Sequence, residues 1–98
     1  MHARLTTSQY QLDKVDEALQ IYRESILPEL RQQPGFKGVM GLVDRSKGKA
    51  ISLTLWESEA DALASGAGSA YMQAALAKFG SLFVAAPVIE TYEVGLQE

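Results

Sequence analysis

The sequence predicts an α+β fold with the element order βαββαβ. Two segments carry apolar residues at spacings of three and four, which is the period of an amphipathic helix. Four shorter segments are apolar or alternate between apolar and polar residues, and turn residues separate them, as is typical of strands. This order predicts a ferredoxin-like domain, in which a four-stranded antiparallel sheet carries two helices on one face.

The first strand and the first helix are predicted at residues 2–7 and 12–30. Asp13 is the predicted N-cap of the helix, and the Pro-Gly pair at 34–35 is a strong stop signal. Pro28 lies inside the apolar stripe and has no backbone N–H. We therefore expect the last turns of this helix to be kinked.

Two further strands are predicted at residues 36–44 and 49–56, and the last strand at residues 88–94. The second and third strands along the chain flank the tetrapeptide Arg-Ser-Lys-Gly, whose Gly48 suits a hairpin turn. All four predicted strands are rich in β-branched, leucine or aromatic residues. Together they complete the predicted sheet.

The second helix is predicted to consist of two pieces. Ser58 can cap the first piece by accepting a hydrogen bond from a backbone N–H three residues later. Gly66 and Gly68 interrupt the pattern, because each glycine weakens a continuous helix by about 1 kcal/mol relative to alanine. Ser69 can cap the second piece, and Gly80 is its predicted end.

The predicted strands carry apolar residues on both faces of the sheet. In the second predicted strand, Phe36, Met40 and Leu42 lie on one face, and Val39 and Val43 lie on the other. In the third, Ile51, Leu53 and Leu55 lie opposite Trp56, and in the last, Val88, Tyr92 and Val94 lie opposite Ile89. Two helices can cover only one face, and the other would expose a larger apolar patch than monomers usually tolerate. A second copy of the chain is the simplest cover, so a homodimer is expected.

Length and composition restrict the class of protein. The 98 residues predict a single domain spanning residues 1–98, and a hydrophobic fraction of 47% is that of a globular protein. No basic cluster with interleaved aromatic residues indicates a nucleic-acid partner. The chain has no cysteine, no apolar run long enough for a membrane span and no signal-peptide pattern at its start. We expect a cytoplasmic protein without a membrane partner.

Four stretches of the sequence resemble one known family. They are QQPGFKGVMGLVD, ISLTLWESEADALAS, SAYMQAALAKFG and VIETYEV. In this order they are similar to the antibiotic-biosynthesis-monooxygenase domain family, of the dimeric α+β barrel type. The resemblance implies a homodimer whose two sheets face each other, with a small cavity between sheet and helices in each protomer.

The resemblance implies different residues for different branches of the family. The haem-degrading branch uses an asparagine, a tryptophan that Trp56 matches and a helix histidine. This chain has no asparagine, and its only histidine is His2, so haem degradation is not expected. The branch that forms quinones from phenols is matched by Trp56 and by Tyr71, with Ser52 in place of its asparagine. We therefore interpret Trp56, Tyr71 and Ser52 as candidate catalytic residues.

A cavity wall is also predicted from the chain direction. Trp56 ends its strand where the second helix begins, and the interrupted helix must fold back over the sheet. We expect Trp56, Met72, Phe79 and Phe83 to line a cavity for a small aromatic ligand. No spacing indicates a metal site, and the resemblance implies oxygen chemistry without a cofactor.

Each candidate also has a purely structural interpretation. Trp56 can be a core aromatic, and Tyr71 and Tyr92 can be packed side chains whose hydroxyls find partners. Arg4 and Arg23 could bind an anionic substrate, but ordinary surface or interface ion pairs are the expected role of both. Two functions therefore stay open: a cofactor-independent monooxygenase, and a non-catalytic homodimer that binds a small ligand.

Overall fold

A computed structural model describes all 98 residues and contains one four-stranded antiparallel sheet. The order of the strands across the sheet is β2-β3-β1-β4, and the helices lie against one face. The strands are β1 His2–Gln9, β2 Phe36–Asp44, β3 Lys49–Trp56 and β4 Val88–Glu93. The predicted ferredoxin-like order βαββαβ is confirmed.

The first helical region is continuous from Leu12 to Leu30 but changes its winding. It consists of a 3₁₀ turn Leu12–Lys14, α1 Val15–Ile21, a π turn Tyr22–Ile26 and α2 Leu27–Leu30. The N-cap predicted at Asp13 is wrong, because Asp13 lies inside the 3₁₀ turn and caps nothing. The N–H of Leu27 donates to the Tyr22 carbonyl, five residues back. The wider turn accommodates Pro28, which cannot donate to the preceding turn.

The second helical region has the two predicted pieces, α3 Glu59–Ala64 and α4 Ala70–Phe79. The Ser58 hydroxyl accepts from the Asp61 N–H at 3.2 Å, and the Ser69 hydroxyl accepts from the Met72 N–H at 3.0 Å. Both predicted caps are confirmed. Gly80 ends α4 with a φ of 51°, a conformation that favours glycine.

The pairing register assigns each strand residue to a face of the sheet. Leu5 lies opposite Leu53, and Leu53 lies opposite Met40, so these residues share the face without helices. Arg4 and Thr54 are paired on the face that the helices cover. An irregularity between Phe36 and Gly38 moves Phe36 onto the helix-covered face. The prediction that Phe36 shares a face with Met40 is therefore wrong.

The core on the helix side has two parts. The larger cluster contains Tyr10, Ala18, Ile26, Ala75 and Phe79. The smaller one contains Leu30, Trp56 and Ala62, which are at most 1% exposed. The two core clusters fix both helical regions over the sheet.

None of the helices has the length and apolar composition needed to cross a lipid bilayer.

Candidate functional site

A cavity of about 90 Å³ lies between the sheet and the helices. Of its 22 lining residues, 16 are hydrophobic, so its walls are apolar apart from a few polar groups. The sheet contributes the polar residues Arg4, Thr6, Ser8, Ser52 and Thr54. The helical regions contribute Tyr22 and Tyr71. An apolar cavity with a few converging polar groups is typical of a small-molecule site.

Arg4 is the one charged side chain of the cavity wall. It is only 2% exposed, and its Nη1 donates to the Ala62 carbonyl at 2.9 Å and to the Ser65 hydroxyl at 3.0 Å. The guanidinium carbon lies 4.7 Å from the centre of the Trp56 ring. Desolvation by burial lowers the pKa of Arg4. A side chain expected in a surface or interface ion pair is instead a buried cation.

Tyr22 reaches the cavity from the π turn of the first helical region. Its hydroxyl lies 2.7 Å from the Ser52 hydroxyl, and either oxygen can donate the hydrogen bond. Burial raises the pKa of Tyr22, although the bond to Ser52 opposes this shift. Ser52 is thus placed at the cavity, and its hydroxyl is already bonded to the chain.

Tyr71 enters the cavity from the first turn of α4. Burial is the main cause that raises the pKa of Tyr71 to about 12, and the charge of an ionised Tyr22 adds to it. Both phenols therefore keep their protons at neutral pH. In this state each can donate a hydrogen bond to a ligand oxygen.

Trp56 is not part of the cavity wall, and this prediction is wrong. Its side chain is 0% exposed and packs with Leu30 and Ala62, because the end of β3 lies beneath α3. The indole N–H donates to the Thr54 hydroxyl at 2.8 Å. Trp56 therefore touches the cavity only through Arg4 and Thr54, and it supports these two residues from behind.

The structure places the other predicted site residues around the cavity. They are Ser52, Tyr71, Met72, Phe79 and Phe83. Phe79 and Phe83 close one end together with Tyr10, with ring centres 5.3 to 5.9 Å apart. The catalytic roles of Ser52, Tyr71 and Trp56 stay predictions.

Three other residues considered in the sequence lie away from the cavity. The Nε2 atom of His2 lies 3.1 Å from a carboxylate oxygen of Glu59, and Arg23 is exposed on the first helical region. The Tyr92 hydroxyl donates to Glu90 at 2.8 Å, on the face without helices.

Sequence reasoning missed the burial of Arg4 and the place of Tyr22 at the cavity. A signal for Arg4 exists in the sequence: Arg4, Thr6 and Ser8 alternate along the first strand, and Ser52 and Thr54 alternate along the third. Two aligned polar stripes indicate one polar sheet face. No comparable signal marks Tyr22, because the π turn that presents it is not visible in the apolar spacing.

Comparison with known structures identifies the fold. A proposed antibiotic biosynthesis monooxygenase from Caulobacter crescentus is 26% identical, with a TM-score of 0.74 over 93% of this chain and 86% of that one. A second, from Deinococcus radiodurans, is 18% identical, with a TM-score of 0.76 over 100% of this chain and 96% of that one. The resemblance predicted from the sequence is confirmed: the chain has the fold of antibiotic biosynthesis monooxygenases.

Two further comparisons are with a ligand-bound structure and with two uncharacterised proteins. The Streptomyces coelicolor monooxygenase from the gene ActVA-Orf6, solved with the ligand nanaomycin D, is 18% identical, with a TM-score of 0.72 over 93% of this chain and 84% of that one. The uncharacterised Mycobacterium tuberculosis proteins Rv2557 and Rv2558 are 36% identical over 58 residues, or 59% of this chain. That match spans about a quarter of their own length (26% and 25%). No family model matches the sequence.

Proposed function

We propose that this chain, which has the fold of the antibiotic biosynthesis monooxygenases, is a cofactor-independent monooxygenase that acts on a small phenol-like compound. The observation that supports it most is the cavity between sheet and helices, with apolar walls and the hydroxyls of Ser52, Tyr22 and Tyr71. A flat aromatic molecule suits the walls, and the hydroxyls suit its oxygen. The related S. coelicolor monooxygenase was solved with a ligand, which is in keeping with this assignment.

The proposed reaction converts a phenol and O2 into a quinone and water. The phenol loses its O–H hydrogen and one ring C–H hydrogen, and it is oxidised by four electrons. One oxygen atom of O2 becomes the new carbonyl oxygen of the ring. The other leaves as water with the two hydrogens, so O2 is the only oxidant.

Ser52, Tyr22 and Tyr71 are proposed to bind the substrate oxygen while its negative charge develops. Preorganised donors aimed at a developing oxyanion are a strong source of catalysis. No carboxylate or histidine belongs to the cavity wall, so the substrate must lose its proton to water. This requirement favours acidic phenols as substrates.

Oxygen consumption tests this proposal. The protein is mixed with a panel of dihydroxylated naphthalenes and anthrone-type phenols, and O2 uptake is followed together with quinone absorbance. We expect turnover with at least one compound, and a decrease in kcat of roughly 100-fold in Tyr71→Phe. Tyr92→Phe is the matched control, because Tyr92 lies on the other face of the sheet. O2 uptake that is unchanged in Tyr71→Phe would contradict the proposed role.

A non-catalytic, ligand-binding homodimer is the second candidate. It is favoured by the absence of a proton-accepting side chain from the cavity wall and by the hydrogen bond that already occupies Ser52. Saturable binding of phenols without O2 uptake or quinone formation would select this function over the first.

Both functions are proposed for a homodimer. The face without helices exposes Met40 by 59%, Leu42 by 47%, Val88 by 56% and Tyr92 by 49%. Side chains of this size on one continuous sheet face indicate an interface. Packing the same face of a second copy against it would remove these side chains from water.

A further inference from the structure

Arg4 is a buried cation that has no anionic partner in the chain. The ion pairs of the structure use Lys14, Lys37, Arg45 and Lys78 as their cations. Arg4 makes none of them, although it is only 2% exposed. Burial of a charge is costly unless a partner and hydrogen bonds compensate for it. The two hydrogen bonds and the Trp56 ring compensate for part of this cost.

The guanidinium of Arg4 has donors left for a ligand. The Nη1 atom donates both of its hydrogen bonds, whereas an arginine side chain has five N–H donors. No enclosed side-chain nitrogen or oxygen of the protein lacks a hydrogen-bond partner. The other guanidinium nitrogens are therefore not fully enclosed, and Arg4 is one of the residues that line the cavity.

We propose that the molecule held in this cavity carries an anionic oxygen group, a carboxylate or an ionised phenol, and that Arg4 binds it. This inference rests on the proposed binding of a small aromatic molecule in the cavity. Arg4 supplies the only charge of the wall, and no lining carboxylate competes for it. The protonated hydroxyls of Tyr22 and Tyr71 are further donors on the same cavity. The specificity of the site is therefore for acids over neutral molecules of the same shape.

Two matched pairs of probes test this specificity by calorimetry at pH 8. Benzoate is compared with benzamide, and 4-nitrophenolate with 4-nitroanisole, since each pair differs mainly in charge. We expect each anion that binds to do so at least about 10-fold more tightly than its neutral partner, because hydrogen bonds to charged groups are stronger than those to neutral groups. Binding by benzoate alone assigns a carboxylate, and binding by 4-nitrophenolate alone assigns an ionised phenol.

Variants locate the effect at Arg4. Arg4→Met keeps the length of the side chain and removes its charge, so we expect anion affinity to fall about 10- to 100-fold while the affinity for the neutral partner changes by less than about threefold. Arg23→Met is the matched control, because Arg23 is exposed, and it should change neither affinity. If Arg4→Met does not fold, Arg4→Lys serves instead, since it keeps the charge and loses the planar fork. Weaker anion binding by this variant supports the assignment.

The outcomes separate this inference from the proposed function. Equal affinity for the charged and neutral member of each pair overturns the inference and leaves a small-molecule cavity intact. Equal losses for both members in Arg4→Met also overturn it, because they indicate a structural role. Binding of none of the four probes contradicts the cavity function and the inference together. Selective anion binding without O2 uptake supports the inference and contradicts only the monooxygenase.

Discussion

The two faces of the sheet differ in a way that reverses the usual arrangement. The face beneath the helices carries a polar patch of Arg4, Thr6, Ser8, Ser52 and Thr54. The open face carries Leu5, Met40, Leu42, Ile51, Leu53 and Leu55. An antiparallel sheet with one solvated face normally buries its apolar residues and exposes its polar ones. The polar groups therefore face the cavity that the helices enclose, whereas large apolar side chains are exposed on the open face.

The polar face remains stable because its groups are paired. The Trp56 N–H donates to Thr54, Tyr22 bonds with Ser52, and Arg4 donates to α3. No enclosed polar side-chain atom is left without a partner. The open face has no comparable compensation for its exposed side chains, which is why the proposed dimer places a second protomer over it.

The largest effect is expected from a charge at the centre of the open face. Leu53 lies between Leu5 and Met40 on the open face. Leu53→Asp therefore places one unpaired carboxylate from each protomer in the proposed dimer interface. Each should cost several kcal/mol if it is buried. In analytical ultracentrifugation at micromolar concentration, we expect the parent to have a mass of twice 10.7 kDa and the variant to have the mass of a monomer.

The matched control for Leu53→Asp is Leu63→Asp. Leu63 is an exposed leucine, at 59%, on α3 and away from the open face. The control should leave the mass unchanged. A monomeric parent protein would contradict the interpretation of the open face.

The next effect concerns the support of the polar face. Trp56 is fully buried, so Trp56→Ala should lower the free energy of unfolding by roughly 3 to 5 kcal/mol. Trp56→Phe keeps much of the bulk but loses the N–H bond to Thr54, so a smaller loss is expected. Chemical unfolding followed by circular dichroism measures both. Near-normal stability of the alanine variant would return Trp56 to the list of candidate ligand contacts.

The sequence predicted the elements well because their signals are local. The caps at Ser58 and Ser69 and the stop at Gly80 each depend on residues within one turn. The face of the sheet on which each side chain lies was predicted less well. Alternation counted from Phe36 fails after the irregularity in β2, since one extra residue reverses the faces on either side of it.

The site was predicted only in part, for a related reason. Ser52 and Tyr71 were placed at the cavity because the family resemblance aligned them. Arg4 was assigned mainly to a surface or interface ion pair, because an arginine is rarely buried without a partner. Trp56 was assigned to the cavity, because periodicity gives the face of a residue but not what covers it. The decisive information is which strand segment lies beneath α3, and this depends on tertiary packing.

The smallest effect is expected from pH, and it concerns the enclosed tyrosines of the helix-covered face. The pKa of Tyr71 is raised from 10.0 to about 12, so the unfolded chain loses this proton before the folded protein does. The resulting contribution to stability is complete below about pH 10 and is lost as the pH rises toward about 12. Tyr71→Phe should therefore lose less stability than the parent between pH 9 and roughly pH 11.5. Thermal unfolding across this range measures the difference, and Tyr10→Phe provides a second enclosed tyrosine whose pKa is raised by burial. Identical pH profiles for the parent and Tyr71→Phe would show that this phenol is solvated, and the helix-covered face would then be open to water rather than enclosed.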